Sequence, residues 1–196
     1  MAQGDSETSI VNQALSALGE DPIKSLTEAN KRAIQASIFY HPVRRAILRS
    51  HPWNCAKKLA SLAADATAPL FDYSARYPLP VDFIRFYRED RENDMEVWDI
   101  IGPWIYVNNS STTSGGALQC IYIYDLQDPT QMDAGFIQAF VYMLAGKLAL
   151  PLTQNSTRAQ QGLQMMESEM SMARLTGAQE NAPREWDEDI LLRSRR

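Results

Sequence analysis

The fold is decided by residues 40–58, YHPVRRAILRSHPWNCAKK, which predict a helix that ends in a fixed corner. Pro42 lacks the N–H that a helix interior needs, so we expect a bend near the middle of the helix. Pro52 disfavours the α conformation of His51, and the helix should therefore end there. Trp53 follows a rigid turn, where its large apolar ring can be locked against the helices. We interpret Pro42, Pro52 and Trp53 as a structural corner.

Apolar residues recur at helical spacing on both sides of this corner and predict four helices. Their expected ranges, in chain order, are 6–18, 25–50, 133–150 and 155–177. The second helix should follow a capping box from Ser25 to Glu28, and Pro151 should terminate the third. The inner face of the last helix should carry Leu163, Met166, Met170 and Ala173.

The sequence period changes between residues 71 and 124, where alternating and aromatic residues predict one small antiparallel sheet. Residues 59–70 are expected to be a short extended or turn segment that leaves the helices. The order of elements predicts an α+β fold: a four-helix bundle with an inserted small antiparallel β-sheet subdomain and an extended C-terminal tail. The expected parts are residues 1–58 with 128–178 for the bundle, 59–127 for the inserted subdomain and 179–196 for the tail.

The charge of the chain is unevenly distributed. An apolar fraction of 45% excludes a disordered chain, and a net charge of −5 argues against DNA binding through overall charge. Six carboxylates crowd one connection between predicted strands, and the first four are the main candidates; the six are Glu89, Asp90, Glu92, Asp94, Glu96 and Asp99. They fit a solvated hairpin tip, an acidic surface that repels a polyanion, or the catalytic pair of a glycosidase.

Basic residues form a second group, which consists of Arg44, Arg45, Arg49, Lys57 and Lys58. Ion pairs between subunits or a solvated helix face account for this patch, and a DNA-binding module is the alternative. The aromatic residues that single-strand binders interleave with basic ones are missing from it. His41 and His51 both precede prolines without further metal ligands at suitable spacing, so we interpret them as structural histidines.

The end of the chain is polar and charged except for four apolar residues, Trp186, Ile190, Leu191 and Leu192. Such side chains are costly to expose, so the tail is predicted either to dock on a partner or to pack back on its own helices. A short segment with aromatic and aliphatic anchors is typical of ordering upon a partner.

The sequence contains no Ser-His-Asp series, P-loop, GxGxxG or HExxH motif, so we expect neither catalytic nor metal-binding residues, no cofactor, and no enzyme activity. Cys55 and Cys120 lack CxxC spacing, which favours free thiols in a reducing compartment. No signal peptide is expected, and residues 136–150 are predicted to be a buried helix rather than a membrane span.

Four blocks of the chain resemble the head-to-tail adaptor (connector) proteins of tailed bacteriophages, the tail tubular protein A kind. The blocks are residues 10–26, which begin IVNQALSALGEDPI; residues 40–56, with the Pro-Trp-Asn corner; residues 77–85, YPLPVDFIR; and residues 128–152, which begin DPT. Each block is moderately specific by itself, and their common order and spacing across residues 8–177 carry the resemblance.

The resemblance implies a virion protein of the head–tail junction, made in the host cytoplasm. It implies a homo-oligomeric ring, usually of twelve subunits, that binds the portal protein on one side and the distal tail or nozzle protein on the other. Genomic DNA would pass through its lumen without sequence-specific binding, and no membrane is involved. The alternatives to this structural role are a cell-wall (peptidoglycan) glycosidase that acts at infection and a DNA-binding module.

Overall fold

The computed structural model of the chain describes residues 6–70, 73–89, 97–108 and 117–180. These residues form four α-helices and six β-strands, so the fold belongs to the mixed α+β class that the sequence predicts. The helices are α1 (Glu7–Ala17), α2 (Lys31–Ser50), α3 (Ala134–Thr153) and α4 (Ser156–Glu180). The strands are β1 (Lys57–Leu62), β2 (Ala75–Pro78), β3 (Phe83–Glu89), β4 (Val97–Ile101), β5 (Trp104–Asn108) and β6 (Leu118–Tyr124).

The start of α2 differs from the prediction. Asn30 caps the helix, because its side-chain oxygen accepts a hydrogen bond of 2.8 Å from the Ala33 N–H. Glu28 instead accepts from the backbone N–H groups of Lys24 and Ser25. The predicted capping box therefore holds a turn, and the helix begins three residues beyond it.

The end of α3 also differs, since the helix continues through Pro151 to Thr153. Proline removes one hydrogen bond near the end of a helix, where few bonds remain to be lost. The last turn is held by the Thr153 hydroxyl, which donates to the Ala149 carbonyl over 2.7 Å, and by the N–H of Gln154, which donates to Leu150. Gln154 then adopts a left-handed conformation (φ 53°) and ends the helix.

The structure divides the predicted single sheet into two three-stranded antiparallel sheets. The inner sheet has the strand order β1-β6-β3 and the outer sheet the order β2-β5-β4. Residues 57–62, expected in part to be an irregular exit from the helices, form β1 and pair with β6 along its whole length. Local periodicity could not predict this pairing, because the partners of β1 lie about sixty residues away in the sequence.

The inner sheet lies between the helices and the outer sheet, which gives the molecule three layers. Ile123 of β6 is fully buried in the helical core, whereas Leu118 and Cys120 of the same strand face the outer sheet. There they pack against a second, smaller core that includes Tyr77 and Ile105. The alternation of side chains along β6 thus supplies both cores.

Helix α3 is the centre of the helical layer and packs against the other three helices. It is long and apolar enough to cross a membrane by length and composition, yet its buried residues form the core, as the sequence predicts. Its contact with α4 is tight where two glycines meet: a Cβ at Gly162 would lie 2.8 Å from the backbone of Gly146. On α4, Met170 is buried as predicted, but Leu163 is exposed.

Candidate functional site

The predicted corner lies where α2 passes into the inner sheet. Pro42 is inside α2, and the helix stops at His51, whose extended backbone (φ −142°, ψ 144°) precedes Pro52. Trp53 is buried, and its indole N–H donates to the Ile47 carbonyl over 3.0 Å. This bond ties the residue after the corner to the last turn of the helix before it.

Aromatic contacts lock the Trp53 ring in place. The ring meets Phe136 of α3 edge to face, with centroids 5.2 Å apart, and meets His51 in the same manner at 4.9 Å. Such perpendicular pairs contribute roughly 0.5–1.5 kcal/mol each beyond the burial of their area. Trp53 therefore joins α2 and α3 just before the chain enters β1.

A cavity of about 390 Å³ opens beside this corner, between the N-terminus of α3 and the C-terminal half of α4. The side chains of Trp53, Met172 and Ala173 line its apolar part. Asp133 and Glu169 supply carboxylates to its lining, and Asp133 is already engaged as the cap of α3, accepting from the Phe136 N–H. Cys55 also lines the cavity, and burial raises the pKa of its thiol to about 12.

Basic residues from four elements meet at the same corner. Arg49 of α2 and Arg85 of β3 are linked, since each guanidinium donates to a backbone carbonyl of the other segment. Further basic residues lie near His51. Burial lowers the pKa of its imidazole, and the charges of Arg174, Lys57 and Arg85 lower that pKa further, whereas the charge of Asp133 raises it. We call Arg49, Lys57, Arg85 and Arg174 the corner cluster.

This cluster corrects the basic patch predicted from the sequence. Arg44 is almost fully buried, and its guanidinium pairs with Asp125 over 2.8 Å. Arg45 pairs with the second oxygen of the same carboxylate over 3.0 Å, and Lys58 pairs with Asp82 over 2.8 Å. Three of the five predicted residues are thus held in ion pairs within the chain, with Arg44 and Arg45 sharing one carboxylate, and only Arg49 and Lys57 of the predicted patch belong to the corner cluster.

The Arg44–Asp125 pair was not identified from the sequence. Its members are separated by 81 positions, and Asp125 follows β6 where the chain returns to the helices. Burial would raise the pKa of Asp125, but hydrogen bonds and charges from Arg44 and Arg45 hold it below its usual range. The only sequence signal was an arginine at an apolar position of α2, next to the buried Val43.

The acidic candidates lie mainly beyond what the structure describes. Glu89 ends β3, and Asp90, Glu92, Asp94 and Glu96 fall outside the described residues. Asp99 lies in β4, where it accepts a hydrogen bond of 2.6 Å from the Tyr73 hydroxyl. The apolar tail residues, Trp186, Ile190, Leu191 and Leu192, also lie outside them. Neither the acidic connection nor the tail is therefore assigned a geometry.

Four side chains of types that bind metals, those of His51, Cys55, Asp133 and Glu169, line the cavity beside the corner without forming a ligand cluster. Among residues 6–70, 73–89, 97–108 and 117–180, no three or more His, Cys, Asp and Glu side chains come together as a metal site would require.

Comparison of the chain with models of known protein families gives no match, and comparison with curated proteins gives none either.

Proposed function

We propose that the protein is the structural head-to-tail adaptor of a tailed bacteriophage, a ring subunit that joins the portal to the tail. The observation that carries the proposal is the resemblance of four blocks to adaptor proteins, in the same order along the chain. These blocks coincide with the framework of the fold: α1 and the turn after it, the corner, the β2–β3 connection, and α3 with the turn before it.

Several residues of these blocks make hydrogen bonds that fix the blocks to the rest of the fold. Asn12 clamps the backbone of Ile23, donating to its carbonyl and accepting from its N–H, both over 2.9 Å. Asp82 accepts from Lys58 and from the Tyr122 hydroxyl, so the third block is fixed to the inner sheet. Residues used in this way stiffen a scaffold, which suits a subunit that must transmit force between capsid and tail.

The finer fold belongs to the same proposal: α1 to α4 form a four-helix bundle that serves as the wall of the ring. An apolar stripe on α4 supports a contact between copies, because Met165, Met172 and Leu175 share one helix face and are 53%, 63% and 68% exposed. A ring requires each subunit to present one surface to each neighbour, and this stripe supplies one of them.

The acidic connection and the tail complete the proposal. Glu89, Asp90, Glu92 and Asp94 would face the lumen, where carboxylates repel phosphates and let DNA slide without sticking. Trp186, Ile190, Leu191 and Leu192 would anchor the subunit to the portal. In this arrangement the protein has no catalytic role.

Native mass spectrometry of the purified protein, with and without a portal preparation, tests the function. We expect a closed ring, about twelve subunits, that forms on the portal and that fails to attach when residues 181–196 are deleted. Circular dichroism of the deletion variant checks that its helices are retained. Imaging of virions that located the protein anywhere other than between capsid and tail would refute the adaptor function.

A further inference from the structure

The corner cluster is a concentration of positive charge that no described ion pair neutralises, although Lys57 donates to the Asn54 side chain over 2.7 Å and lies over the Tyr87 ring. Among the described residues, no carboxylate forms an ion pair with Arg49, Lys57, Arg85 or Arg174, although five other basic side chains do form such pairs. Four cations brought together from α2, β1, β3 and α4 repel one another, and a bound anionic group would relieve that repulsion.

The cavity beside the cluster has an apolar part of suitable size, flanked by polar side chains. Its volume of about 390 Å³ and its lining of Trp53, Met172 and Ala173 fit one large aromatic ring better than a string of polar groups. The two carboxylates of its lining, Asp133 and Glu169, are fewer than the four cations nearby. The corner therefore selects a ligand that combines an aromatic ring with negative charge.

The chain itself contains such a ligand. Residues 185–189 read Glu-Trp-Asp-Glu-Asp, which places the indole of Trp186 among four carboxylates. An indole fills a cavity of this kind and buries roughly 150–250 Å². The carboxylates on either side of the indole would then reach the corner cluster at the rim.

The segment is also long enough to reach the cavity. Helix α4 ends at Glu180, and Thr176 on the cavity lining is four residues before that end, or about 6 Å along the helix. Trp186 lies six residues beyond Glu180, a stretch that spans up to about 20 Å when extended. A chain that reverses direction after α4 can thus place Trp186 in the cavity of its own subunit.

We propose that residues 185–189 dock at the corner of their own chain, with Trp186 in the cavity and the flanking carboxylates on the corner cluster. While Trp186 occupies the cavity, it is not available to a partner protein, and a partner must displace it in order to bind it. The inference goes beyond the adaptor function and does not depend on it, since docking within one chain needs neither a ring nor a portal.

Disulfide trapping in the full-length chain tests the proposal. Cysteine is introduced at Asn54, on the cavity lining, and at Arg184, next to the docking segment but outside its carboxylates. The matched control places the first cysteine at Ser37, an exposed position of α2 away from the cavity. The native thiols compete little, because Cys55 has its pKa raised to about 12 and Cys120 is buried.

We expect the Asn54→Cys/Arg184→Cys pair to oxidise at least about tenfold faster than the Ser37→Cys/Arg184→Cys pair, as a high effective concentration requires. Arg174→Glu should remove most of that advantage, whereas Lys147→Glu, the same charge change at another exposed helix position, should not. Trp186→Ala should slow trapping as well.

Mixing protein labelled with ¹⁵N and unlabelled protein before oxidation identifies the chain that supplies the segment. Disulfide-linked peptides that are both labelled or both unlabelled support docking within one chain. Equal trapping rates for the cavity and control positions would overturn the proposal, and so would disulfides that join labelled to unlabelled peptides, because they place the segment on a second copy.

Discussion

Replacement of Asp125 by asparagine should destabilise the protein far more than a surface charge change does. The Asp125 carboxylate bonds the Arg44 guanidinium over 2.8 Å, and the two side chains are only 8% and 2% exposed. Asparagine keeps the shape of the residue but removes its charge. Arg44 would then remain buried in the core without a counter-charge.

The size of the effect follows from these exposures. Loss of one partner of a buried pair costs about 3–5 kcal/mol, because the other charge stays desolvated. The side chain of Arg45 is 61% exposed, so its own bond to Asp125 adds at most about 1 kcal/mol. The introduced asparagine would still accept one hydrogen bond, which places the expected loss in the free energy of unfolding near the lower limit, about 3 kcal/mol.

The same pair predicts how stability depends on acidity. Burial opposes the charged form of Asp125, but the two arginines more than offset burial, so the pKa of the folded state lies below the unfolded value of 3.8. The stabilisation is therefore present above the unfolded pKa and is lost as pH falls through the lower, folded pKa. The difference between the parent and Asp125→Asn should narrow below about pH 4.

Urea unfolding followed by circular dichroism measures both effects. The matched control is Asp21→Asn, which breaks a surface ion pair with Arg32 in which Asp21 is 84% exposed, and it should cost less than about 1 kcal/mol. The double variant Arg44→Met/Asp125→Leu should recover most of the loss, because no buried charge remains. A cost for Asp125→Asn as small as that of the control would refute the reasoning.

Two further substitutions test the packing of the helical layer by the same unfolding measurement. Gly162→Ala should cost about 3 kcal/mol, since its Cβ would lie 2.8 Å from the Gly146 backbone, while Gln161→Ala on the exposed face should be nearly neutral. Trp53→Phe should cost about 1 kcal/mol, because it removes the 3.0 Å bond from the indole N–H to the Ile47 carbonyl, which keeps the Ser50 hydroxyl as a donor over 2.8 Å. A neutral Gly162→Ala would contradict the close contact between α3 and α4, and a neutral Trp53→Phe would contradict a role of the indole N–H in holding the corner.

Features fixed by neighbouring residues were predictable from the sequence. The end of α2 at His51 follows from Pro52, and the end of α1 follows from Gly19, which adopts the left-handed conformation (φ 71°) that glycine tolerates. The mixed α+β class follows from the change of period along the chain. Each of these signals acts within a few residues, so no knowledge of the tertiary fold is needed.

Features that depend on distant residues were not predictable in the same way. The division into two sheets depends on the pairing of β1 with β6, and the corner cluster depends on bringing Lys57, Arg85 and Arg174 near His51. Charge patterning along the sequence grouped Arg44 with Lys57, although the fold buries the first and leaves the second at the corner. Sequence position is a poor guide to a surface that four elements assemble.

The two passages of the chain between helices and sheets explain why the corner and the buried ion pair matter together. The first passage, from α2 to β1, is fixed by Trp53, which packs on Phe136 of α3. The second, from β6 to α3, is fixed by Asp125, which pairs with Arg44 of α2. The first passage is thus anchored to α3, the helix that follows the second passage, and the second is anchored to α2, the helix that precedes the first. The helical layer and the inner sheet should therefore move as one body.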